Sequence, residues 1–374
     1  MGRSGSLKAR LAGLTVPTLV LALGAAALSA CGEPVAVLGD TPGLMRIVAG
    51  LPDEPGREVG ASATRTQLRF PAGVAMDADG VLYLVDQNNR RILAVSSSGG
   101  VRVVVDDATC SAVCMLLPVA VAVDASGGIV VADELGHRVW RFDRETGARV
   151  VLAGNGVHET TPDGEPAASS PIRSPRGVAV DELGHVYFAE GRSHLIRTIL
   201  PNGTLSTVAG TGEAGFSGDG GPALAAALNF PAGIDIAAGR LFIADAGNHR
   251  VRAVDLTTGI IETVAGTGTA GYGGDGGDPL SASLSDPRDV SVTTDGMTVY
   301  VADRGNDRIR LVSLGSSLIN TFAGSGDTEF AGDLIDAGAA GLSSPLGVAT
   351  SPFGLVLIAD TDHHIVWRTP TGLR

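Results

Sequence analysis

The sequence is poor in lysine, aromatic residues and cysteine, and these shortages restrict what the protein can do. Lys8 is the only lysine among the 374 residues, so the chain beyond the first thirty residues has none for Schiff-base or general-base chemistry. Acidic residues outnumber basic ones by 40 to 27, and the net charge of −13 disfavours binding to a phosphate backbone. No apolar run after the first thirty residues is long enough to span a bilayer.

The first thirty residues have the composition of a secretory signal. Three basic residues precede an apolar segment at 11–28, and Leu-Ser-Ala at 28–30 stands directly before Cys31. This ending resembles the lipobox of bacterial lipoproteins, which implies cleavage of 1–30, a lipid anchor on Cys31 and a flexible tether over 31–44. A signal peptide followed by an unrelated cysteine is the alternative. Gly32 replaces the aspartate of inner-membrane retention, so the resemblance points to the cell envelope and favours the outer membrane.

A motif that begins with proline occurs six times in the rest of the chain. Its first copy is Pro71-Ala-Gly-Val-Ala-Met-Asp77, and each copy is followed by a second short apolar run that ends in an acidic residue. The repeat prolines, spaced 47 to 58 residues apart, are Pro71, Pro118, Pro175, Pro231, Pro287 and Pro345. A repeat of about this length, built from several short strands, is typical of a propeller or a solenoid.

The fourth copy shows how one unit is expected to fold. Runs rich in β-branched residues at 233–237, 240–245, 250–254 and 260–265 alternate with turns of glycine, asparagine, aspartate and threonine. Four such strands form an antiparallel meander, and the nearly continuous apolar character of the first two indicates that both faces are buried. We therefore predict an all-β fold, a six-bladed β-propeller with four strands in each blade.

The two ends of the chain predict how the ring closes. The sixth copy ends after its third strand, at 364–368, whereas a strand with the fourth-strand pattern, Arg46-Ile-Val-Ala-Gly50, precedes the first copy. We expect this N-terminal strand to complete the last blade, which leaves no open sheet edge. The predicted propeller domain covers 45–369 and is followed by a short tail at 370–374.

The repeats are similar to those of NHL-repeat proteins. The turn at 247–250, Gly-Asn-His-Arg, carries the Asn-His pair of that family, and near copies stand at 88–91 and 305–308. The third and sixth repeats depart from this turn. The resemblance covers nearly all of the chain after the signal segment and implies a six-bladed β-propeller. It does not imply one activity, because the family includes lyases as well as modules that bind proteins, RNA or small ligands.

Two cysteines follow Cys31, and they lie in the one shortened connector between repeats. Cys110 and Cys114 are separated by three residues. In an exported protein such a pair most often forms a disulfide, and the alternative of a metal site lacks further cysteine or histidine ligands nearby. We predict a disulfide that holds this short connector in place.

A recurring acid and arginine predict ion pairs across the hairpin between the second and third strands. In four repeats the acid that ends the second strand is followed five residues later by an arginine. A hairpin brings these side chains within reach of each other. The expected structural pairs are Asp86 with Arg91, Asp133 with Arg138, Asp245 with Arg250, and Asp303 with Arg308.

The connectors between blades hold candidate ligand-binding residues. Two of them, at 210–215 and 266–271, match the dinucleotide fingerprint G-x-G-x-x-G, but no helix starts there, so nucleotide binding is not expected. The candidates are the aromatic residues Phe216, Tyr272 and Phe330 and the acids Asp219 and Asp275. They either stack on a sugar or a partner, or hold each connector against its blade. We call the face that carries these connectors the connector-bearing face and expect it to be the functional one.

The residue after each repeat proline is expected to line the mouth of the central channel. Lyases that resemble this fold have a histidine there, whereas this chain has alanine, valine, leucine and two arginines, Arg176 and Arg288. The missing histidine argues against such a lyase, and the arginines suit an anionic ligand. Histidines at 137, 194, 249 and 364 share one turn position, which spreads them around the ring, so we expect no metal site there.

Together these features favour a non-catalytic binding scaffold. It would be anchored to the envelope by lipid and would recognise a protein, a glycan or an envelope component through the connector-bearing face. We expect no cofactor, no metal and no nucleic-acid partner. The alternative is a metal-dependent lyase or lactonase-like hydrolase at the channel mouth.

Overall fold

The computed structural model describes residues 43–111 and 113–371, and this part of the chain consists almost entirely of short β-strands and turns. The signal segment, Cys31 and nearly all of the tether lie outside the described residues, as does the end of the tail. The strands form six antiparallel sheets, each with four main strands. The predicted all-β, six-bladed propeller is confirmed.

The blades are numbered here in the order of their repeat prolines, and each strand is named by its place in the blade. Blade 1 consists of Pro71–Met76, Leu82–Asp86, Arg91–Val95 and Val101–Asp106. Blade 2 consists of Pro118–Val123, Ile129–Asp133, Arg138–Phe142 and Arg149–Ala153. Blade 3 consists of Pro175–Val180, Val186–Glu190, Leu195–Ile199 and Leu205–Ala209.

The remaining blades follow the same plan. Blade 4 consists of Pro231–Ala237, Arg240–Asp245, Arg250–Asp255 and Ile260–Ala265, with Gly221–Pro222 added at its outer edge. Blade 5 consists of Pro287–Val292, Thr298–Asp303, Arg308–Ser313 and Leu318–Ala323. Blade 6 consists of Pro345–Thr350, Leu355–Asp360, Ile365–Pro370 and Leu44–Gly50, with Ile335–Asp336 at its edge.

Short 3-10 turns are the helical segments of the described residues. They are Ala63–Arg65, Gln87–Asn89, Ala167–Ser169, Gly191–Ser193, Ala223–Ala225, Ala246–Asn248, Pro279–Ser281, Arg304–Asn306 and Ala337–Ala339. Each covers three residues, and none is long or apolar enough to cross a membrane. They lie in the connectors and in the hairpins between second and third strands.

The N-terminal strand closes the ring, as the sequence predicts. Ile47 lies opposite Trp367 and Ala49 opposite Val366 in an antiparallel pairing with the third strand of blade 6. The backbone N–H of Ile47 also donates to Asp333 Oδ1 at 2.8 Å, which ties the connector before blade 6 to the closing strand. Blade 6 therefore combines both ends of the described chain in one sheet.

The first strands of neighbouring blades approach each other closely around the channel, and the glycine of the repeat permits this. A Cβ on Gly347 would lie 2.1 Å from the carbonyl oxygen of Ala72 in blade 1, and one on Gly177 would lie 2.3 Å from that of Ala232 in blade 4. Real Cβ atoms do not approach oxygen so closely. The repeat therefore needs glycine here because the next strand occupies the space of a side chain.

Apolar side chains fill the space between neighbouring blades. Tyr300 of blade 5 and Trp367 of blade 6 belong to one fully buried cluster, and Phe242 of blade 4 packs with Val299 of blade 5 in another. Each blade therefore buries both of its faces, as the continuous apolar runs predict. Because burial of a large apolar side chain contributes roughly 1.5–3 kcal/mol, these contacts between blades stabilise the ring.

The acid at the end of each second strand is buried and holds a connector in place. All six, Asp86, Asp133, Glu190, Asp245, Asp303 and Asp360, are fully shielded from solvent. Asp245 Oδ1 accepts the backbone N–H of Asn229 at 2.7 Å, and Asp303 Oδ1 accepts that of Ser285 at 2.7 Å. Burial raises the pKa of both carboxyl groups to about 6, against the hydrogen bonds that lower it. The acid therefore ties each blade to the connector that precedes it.

The predicted ion pairs need correction in three blades. Asp86 and Arg91 lie 2.6 Å apart in blade 1. In the other three predicted pairs, Arg138, Arg250 and Arg308 donate to backbone carbonyl groups instead. There the side chain seven residues after the acid lies nearer to it, with Asp133–Trp140 at 3.3 Å, Asp245–Arg252 at 4.0 Å and Asp303–Arg310 at 3.4 Å. The closest side-chain partners of Asp245 and Asp303 are Asn248, at 2.8 Å, and Asn306, at 2.7 Å.

The four histidines at the hairpin turn connect neighbouring blades. His194 has φ of +56°, and its Nδ1 accepts the backbone N–H of Phe230, in front of blade 4, at 3.0 Å. His137, His249 and His364 accept the corresponding N–H groups in front of blades 3, 5 and 1. In blade 5, Asp307 Oδ1 plays the same role toward Ser344 at 2.8 Å. Nδ1 of His194 is the acceptor in this contact and so carries no proton, and burial lowers the pKa of His194.

The shortened connector after blade 1 is held by a disulfide and an ion pair. Cys110 and Cys114 are bonded, which confirms the predicted disulfide. Asp107 is buried and forms two hydrogen bonds with the guanidinium of Arg149, at 2.6 and 2.7 Å. The connector is thereby fixed to the outer strand of blade 2.

Candidate ligand-binding face

Connectors and hairpin turns meet on one face of the propeller, as the sequence predicts. The N–H of Gly247, in the hairpin of blade 4, donates to the carbonyl of Asn229 at 2.8 Å. Asn248 Nδ2, from the same turn, donates to the carbonyl of Gly215 at 2.7 Å. Both acceptors lie in the connector before blade 4, so the connector-bearing face is a continuous surface of turns and connectors.

Phe216 and Asp219 lie at the outer part of this face and hold their connector to blade 4. The ring of Phe216 lies 3.7 Å from the guanidinium carbon of Arg250 and 5.1 Å from that of Arg252. Asp219 pairs with Arg252 at 2.6 Å and accepts the hydroxyl of Thr263, on the outermost main strand, at 2.6 Å. These contacts favour the anchoring interpretation for Phe216 and Asp219.

The other connector candidates have equivalent contacts. Tyr272 lies between Arg308 and Arg310, at 3.8 and 5.0 Å from their guanidinium carbons, and Asp275 pairs with Arg310 at 2.6 Å. Phe330 packs against Trp367 with ring centroids 5.9 Å apart. Five candidates from the sequence thus contact their own blade at the rim of the face, away from its centre.

A cavity of about 300 Å³ lies at the centre of the face, at the channel mouth. Most of its wall is formed by residues at two positions of the repeat. The first is the residue after the repeat proline, and it contributes Ala72, Val119, Arg176, Ala232, Arg288 and Leu346. The second is the residue after the buried acid, and it contributes Gln87, Glu134, Arg304 and Thr361. The prediction that Arg176 and Arg288 stand at the mouth agrees with this geometry.

Arg176 is a largely buried cation of the mouth. Its Nη2 lies 2.6 Å from Glu134 Oε1 of the preceding blade, and its guanidinium carbon lies 4.5 Å from the ring centre of Phe230. Burial lowers the pKa of Arg176, and the nearby charge of Arg288 acts in the same direction, while Glu134 raises it. The two arginines therefore lie close enough to repel each other.

Arg288 and Arg304, both from blade 5, share one carboxylate. Asp286 Oδ2 lies 2.9 Å from Arg288 Nε and 2.9 Å from Arg304 Nη1. Arg288 also lies against Phe230, at 5.8 Å from the ring centre. Phe230 has φ of +53° directly before the repeat proline, and its ring lies within 6 Å of the guanidinium carbons of both Arg176 and Arg288.

Blades 1, 2 and 6 add an apolar patch to the wall. Phe70, Ala72, Val119 and Leu346 line the cavity there, beside polar side chains that include Gln87, Thr361 and Asp362. Phe70 is held by an edge-on contact with the ring of His364, at 5.0 Å between centroids. The mouth therefore combines the arginines of blades 3 and 5 with an apolar patch on the other blades.

Two carboxyl groups line the channel below the mouth. Asp289 Oδ2 accepts the N–H of Val348 in blade 6 at 3.0 Å, and Asp235 Oδ2 accepts the N–H of Val292 in blade 5 at 2.8 Å. Both are half-buried and line a narrow cavity of about 170 Å³, and Asp289 also lines the mouth. Desolvation raises the pKa of Asp289 to about 8 and that of Asp235 to about 6, and the charge of Asp235 adds to the rise at Asp289.

Three residues of the mouth, Glu134, Asp289 and Arg304, were not predicted from the sequence. Each differs from the residues at the same position in other repeats. Asp289 stands where four repeats have glycine and blade 2 has Ala120. Glu134 and Arg304 follow the buried acids of their blades, where blades 3 and 4 have Gly191 and Ala246. Comparison of equivalent positions across the six repeats identifies all three.

The described residues contain no group of three or more histidine, cysteine or acidic side chains placed to hold a metal ion. The hairpin histidines each contact a different pair of blades, so their nitrogens do not converge. The channel carboxyls Asp235 and Asp289 accept backbone N–H groups. These side chains thus serve contacts within the ring.

Comparisons with known proteins agree with the repeats and the fold. The NHL repeat model matches residues 228–253. The chain is 29% identical over 219 residues to NHL repeat-containing protein 2 of Gallus gallus, which covers 53% of this chain and 30% of that protein. It spans less than a third of the length of the curated relatives it matches.

Solved structures share the propeller at low sequence identity. An auxiliary nutrient binding protein from Bacteroides thetaiotaomicron has a TM-score of 0.63 at 14% identity, over 87% of this chain and 75% of that one. A gluconolactonase from Xanthomonas campestris has a TM-score of 0.56 at 15% identity, over 90% of this chain and 99% of that one. At these identities the likeness shows the fold alone.

Proposed function

We infer that this chain, an NHL-repeat protein with a six-bladed β-propeller fold, is a binding scaffold of the cell envelope. The channel mouth carries the inference, because arginines, an aromatic residue and an apolar wall surround a cavity of about 300 Å³ at the centre of the connector-bearing face. Cavities of this kind, apolar with a few convergent polar groups, are typical of ligand sites. The likeness to an auxiliary nutrient binding protein is one of fold and is compatible with this role.

The partner or ligand that we propose is a protein, a glycan or another envelope component, held without catalysis. A metal-dependent lyase or lactonase-like hydrolase has less support, since the two channel carboxyls, Asp235 and Asp289, already accept backbone N–H groups and both have a raised pKa. The likeness to a gluconolactonase is one of fold.

The anchor belongs to the same proposal. Leu-Ser-Ala before Cys31 supports lipidation and a position on the envelope, with the outer membrane favoured. Growth of cells expressing the full chain with a clickable palmitate analogue should label the wild type and leave Cys31→Ser unlabelled. Equal labelling of the two proteins would remove the anchor from the proposal.

A site-specific crosslinker tests the binding face. The full chain carries a photoreactive amino acid at Gln87, which lines the mouth, or at Leu183, which is 82% exposed in the hairpin between the first and second strands of blade 3. We expect a reproducible adduct from envelope material with the probe at 87 and none at 183. Equal adducts from both positions, or turnover of an envelope compound without any adduct, would overturn the scaffold.

A further inference from the structure

We propose that the channel mouth binds a small organic acid that has one carboxylate and an apolar body. This rests on the binding function proposed above and specifies its ligand class. The carboxylate would lie against Arg176 and Arg288, and the apolar body against the wall formed by Phe70, Val119 and Leu346.

The arginines of the mouth share their carboxylate partners. Arg176 pairs with Glu134, whereas Arg288 and Arg304 both pair with Asp286, and Asp289 and Asp362 also line the cavity. Asp286 is shared by two guanidinium groups, and among the described residues Arg288 donates through Nε alone. The Nη donors of Arg288 are therefore available to a carboxylate, which guanidinium groups bind in a bidentate manner.

The two arginines are held in place before any ligand binds. Both lie within 6 Å of the same ring, that of Phe230, and each is tied by a carboxylate at its other side. Burial and the charge of Arg288 both lower the pKa of Arg176, so a bound anion would relieve the repulsion between these cations. A site with cations already ordered loses less conformational entropy when it binds.

The rest of the mouth sets the size and orientation of the ligand. Phe70, Val119 and Leu346 offer no donor to an anion, and Asp362 of blade 6 adds a negative charge to the lining. An anion is therefore directed to the arginines of blades 3 and 5. The volume of about 300 Å³ admits a small molecule and is at the lower end of the range for ligand pockets.

Matched acids and amides test the ligand class by titration calorimetry on the full chain as expressed and purified. The probes are phenylacetate and hexanoate, their uncharged amides, acetate and inorganic phosphate. We expect phenylacetate and hexanoate to bind at least tenfold more tightly than their amides, because only the acids form charge-assisted hydrogen bonds. Acetate should bind more weakly than both, since it lacks the apolar body.

Variants connect the binding to the mouth. Arg288→Gln should weaken phenylacetate binding at least tenfold, whereas the control Arg240→Gln, which removes an arginine paired with Glu262 outside the mouth, should leave it unchanged. Glu134→Gln should tighten binding, because it frees Arg176 from its carboxylate. Arg288→Gln retains the Arg304–Asp286 pair, and an unchanged melting temperature shows that it is folded.

The outcomes separate this inference from the proposed function. Amides that bind as tightly as the acids, phosphate that binds more tightly than phenylacetate, or equal effects of Arg288→Gln and Arg240→Gln would overturn the organic-acid site. If none of the acids binds while the crosslinker at 87 still captures a partner, the scaffold stands and the ligand class is wrong. If both experiments fail, the scaffold itself falls.

Discussion

Asp289 makes the stability of the ring depend on pH in a direction opposite to that of an ordinary paired carboxylate. Its folded-state pKa is raised to about 8 by desolvation in the channel, from 3.8. Between these values the unfolded chain has lost a proton that the folded protein keeps. The contribution of Asp289 to stability is therefore fully present below pH 4 and is lost as the pH rises through about 8.

The magnitude follows from the pH range between 6 and the pKa of Asp289, which is about 8. Other acids also have a raised pKa, Asp235, Asp245 and Asp303 near 6 among them, so the contribution of Asp289 is taken as the difference between wild type and a variant without this carboxyl. The interval from pH 6 to pH 8 covers two pH units, at about 1.36 kcal/mol each. The free energy of unfolding should therefore fall by about 2.7 kcal/mol by pH 9. Because Asp289 is half-buried, solvent screening reduces this cost, and we expect about 2 kcal/mol.

The test compares wild type with Asp289→Ala by urea unfolding from pH 6 to pH 9. Alanine is the residue that blade 2 has at this position, Ala120. The variant leaves the N–H groups of Val290 and Val348 without the carboxyl, which changes its free energy of unfolding by an amount independent of pH. The wild type should lose about 2 kcal/mol more than the variant between pH 6 and 9. Parallel curves for the two proteins would refute the reasoning.

Two further predictions concern contacts between blades. His194→Asn keeps an acceptor for the N–H of Phe230 and removes a titrating group whose pKa is lowered by burial. The melting temperature of the wild type should therefore fall between pH 7.5 and pH 5, and that of the variant should fall less. An identical fall in both proteins would contradict this. Gly347→Ala should reduce the free energy of unfolding in urea by about 1–3 kcal/mol, because the new Cβ meets the carbonyl group of Ala72. The reverse change at the same position of blade 2, Ala120→Gly, should reduce it by less than about 1 kcal/mol. Equal losses of stability in the two variants would show that the first strands of neighbouring blades can move apart to admit a side chain.

The architecture was predictable because its signals are local and repeat six times. Short β-branched runs, turn glycines and the repeat proline define each strand without knowledge of distant contacts. The closing strand was predictable for a related reason, since the sixth repeat lacks a fourth strand and a ring leaves only one place for the pattern at 46–50. The cysteine pair was predictable from its spacing and its connector.

The partners of the buried acids were harder to predict, and the reason is geometric. Residues five and seven positions after the acid lie on the same side of the third strand, because side chains alternate with a period of two. Arg250 is directly opposite Asp245, yet its guanidinium turns to the connector and the ring of Phe216, and Arg252 contacts the acid. Spacing along the chain does not distinguish these two arginines.

The sequence by itself determined the number of blades, the order of the strands, the ring closure and the two arginines beside the repeat proline, because each can be read from short patterns and from their comparison along the chain. Only the tertiary structure decided what those arginines face. Glu134, Phe230 and Asp286 come from three different connectors and turns, and the curvature of the ring brings them to one mouth. Asp289 owes its raised pKa to the same cause, since the desolvation of a carboxyl depends on every strand around the channel.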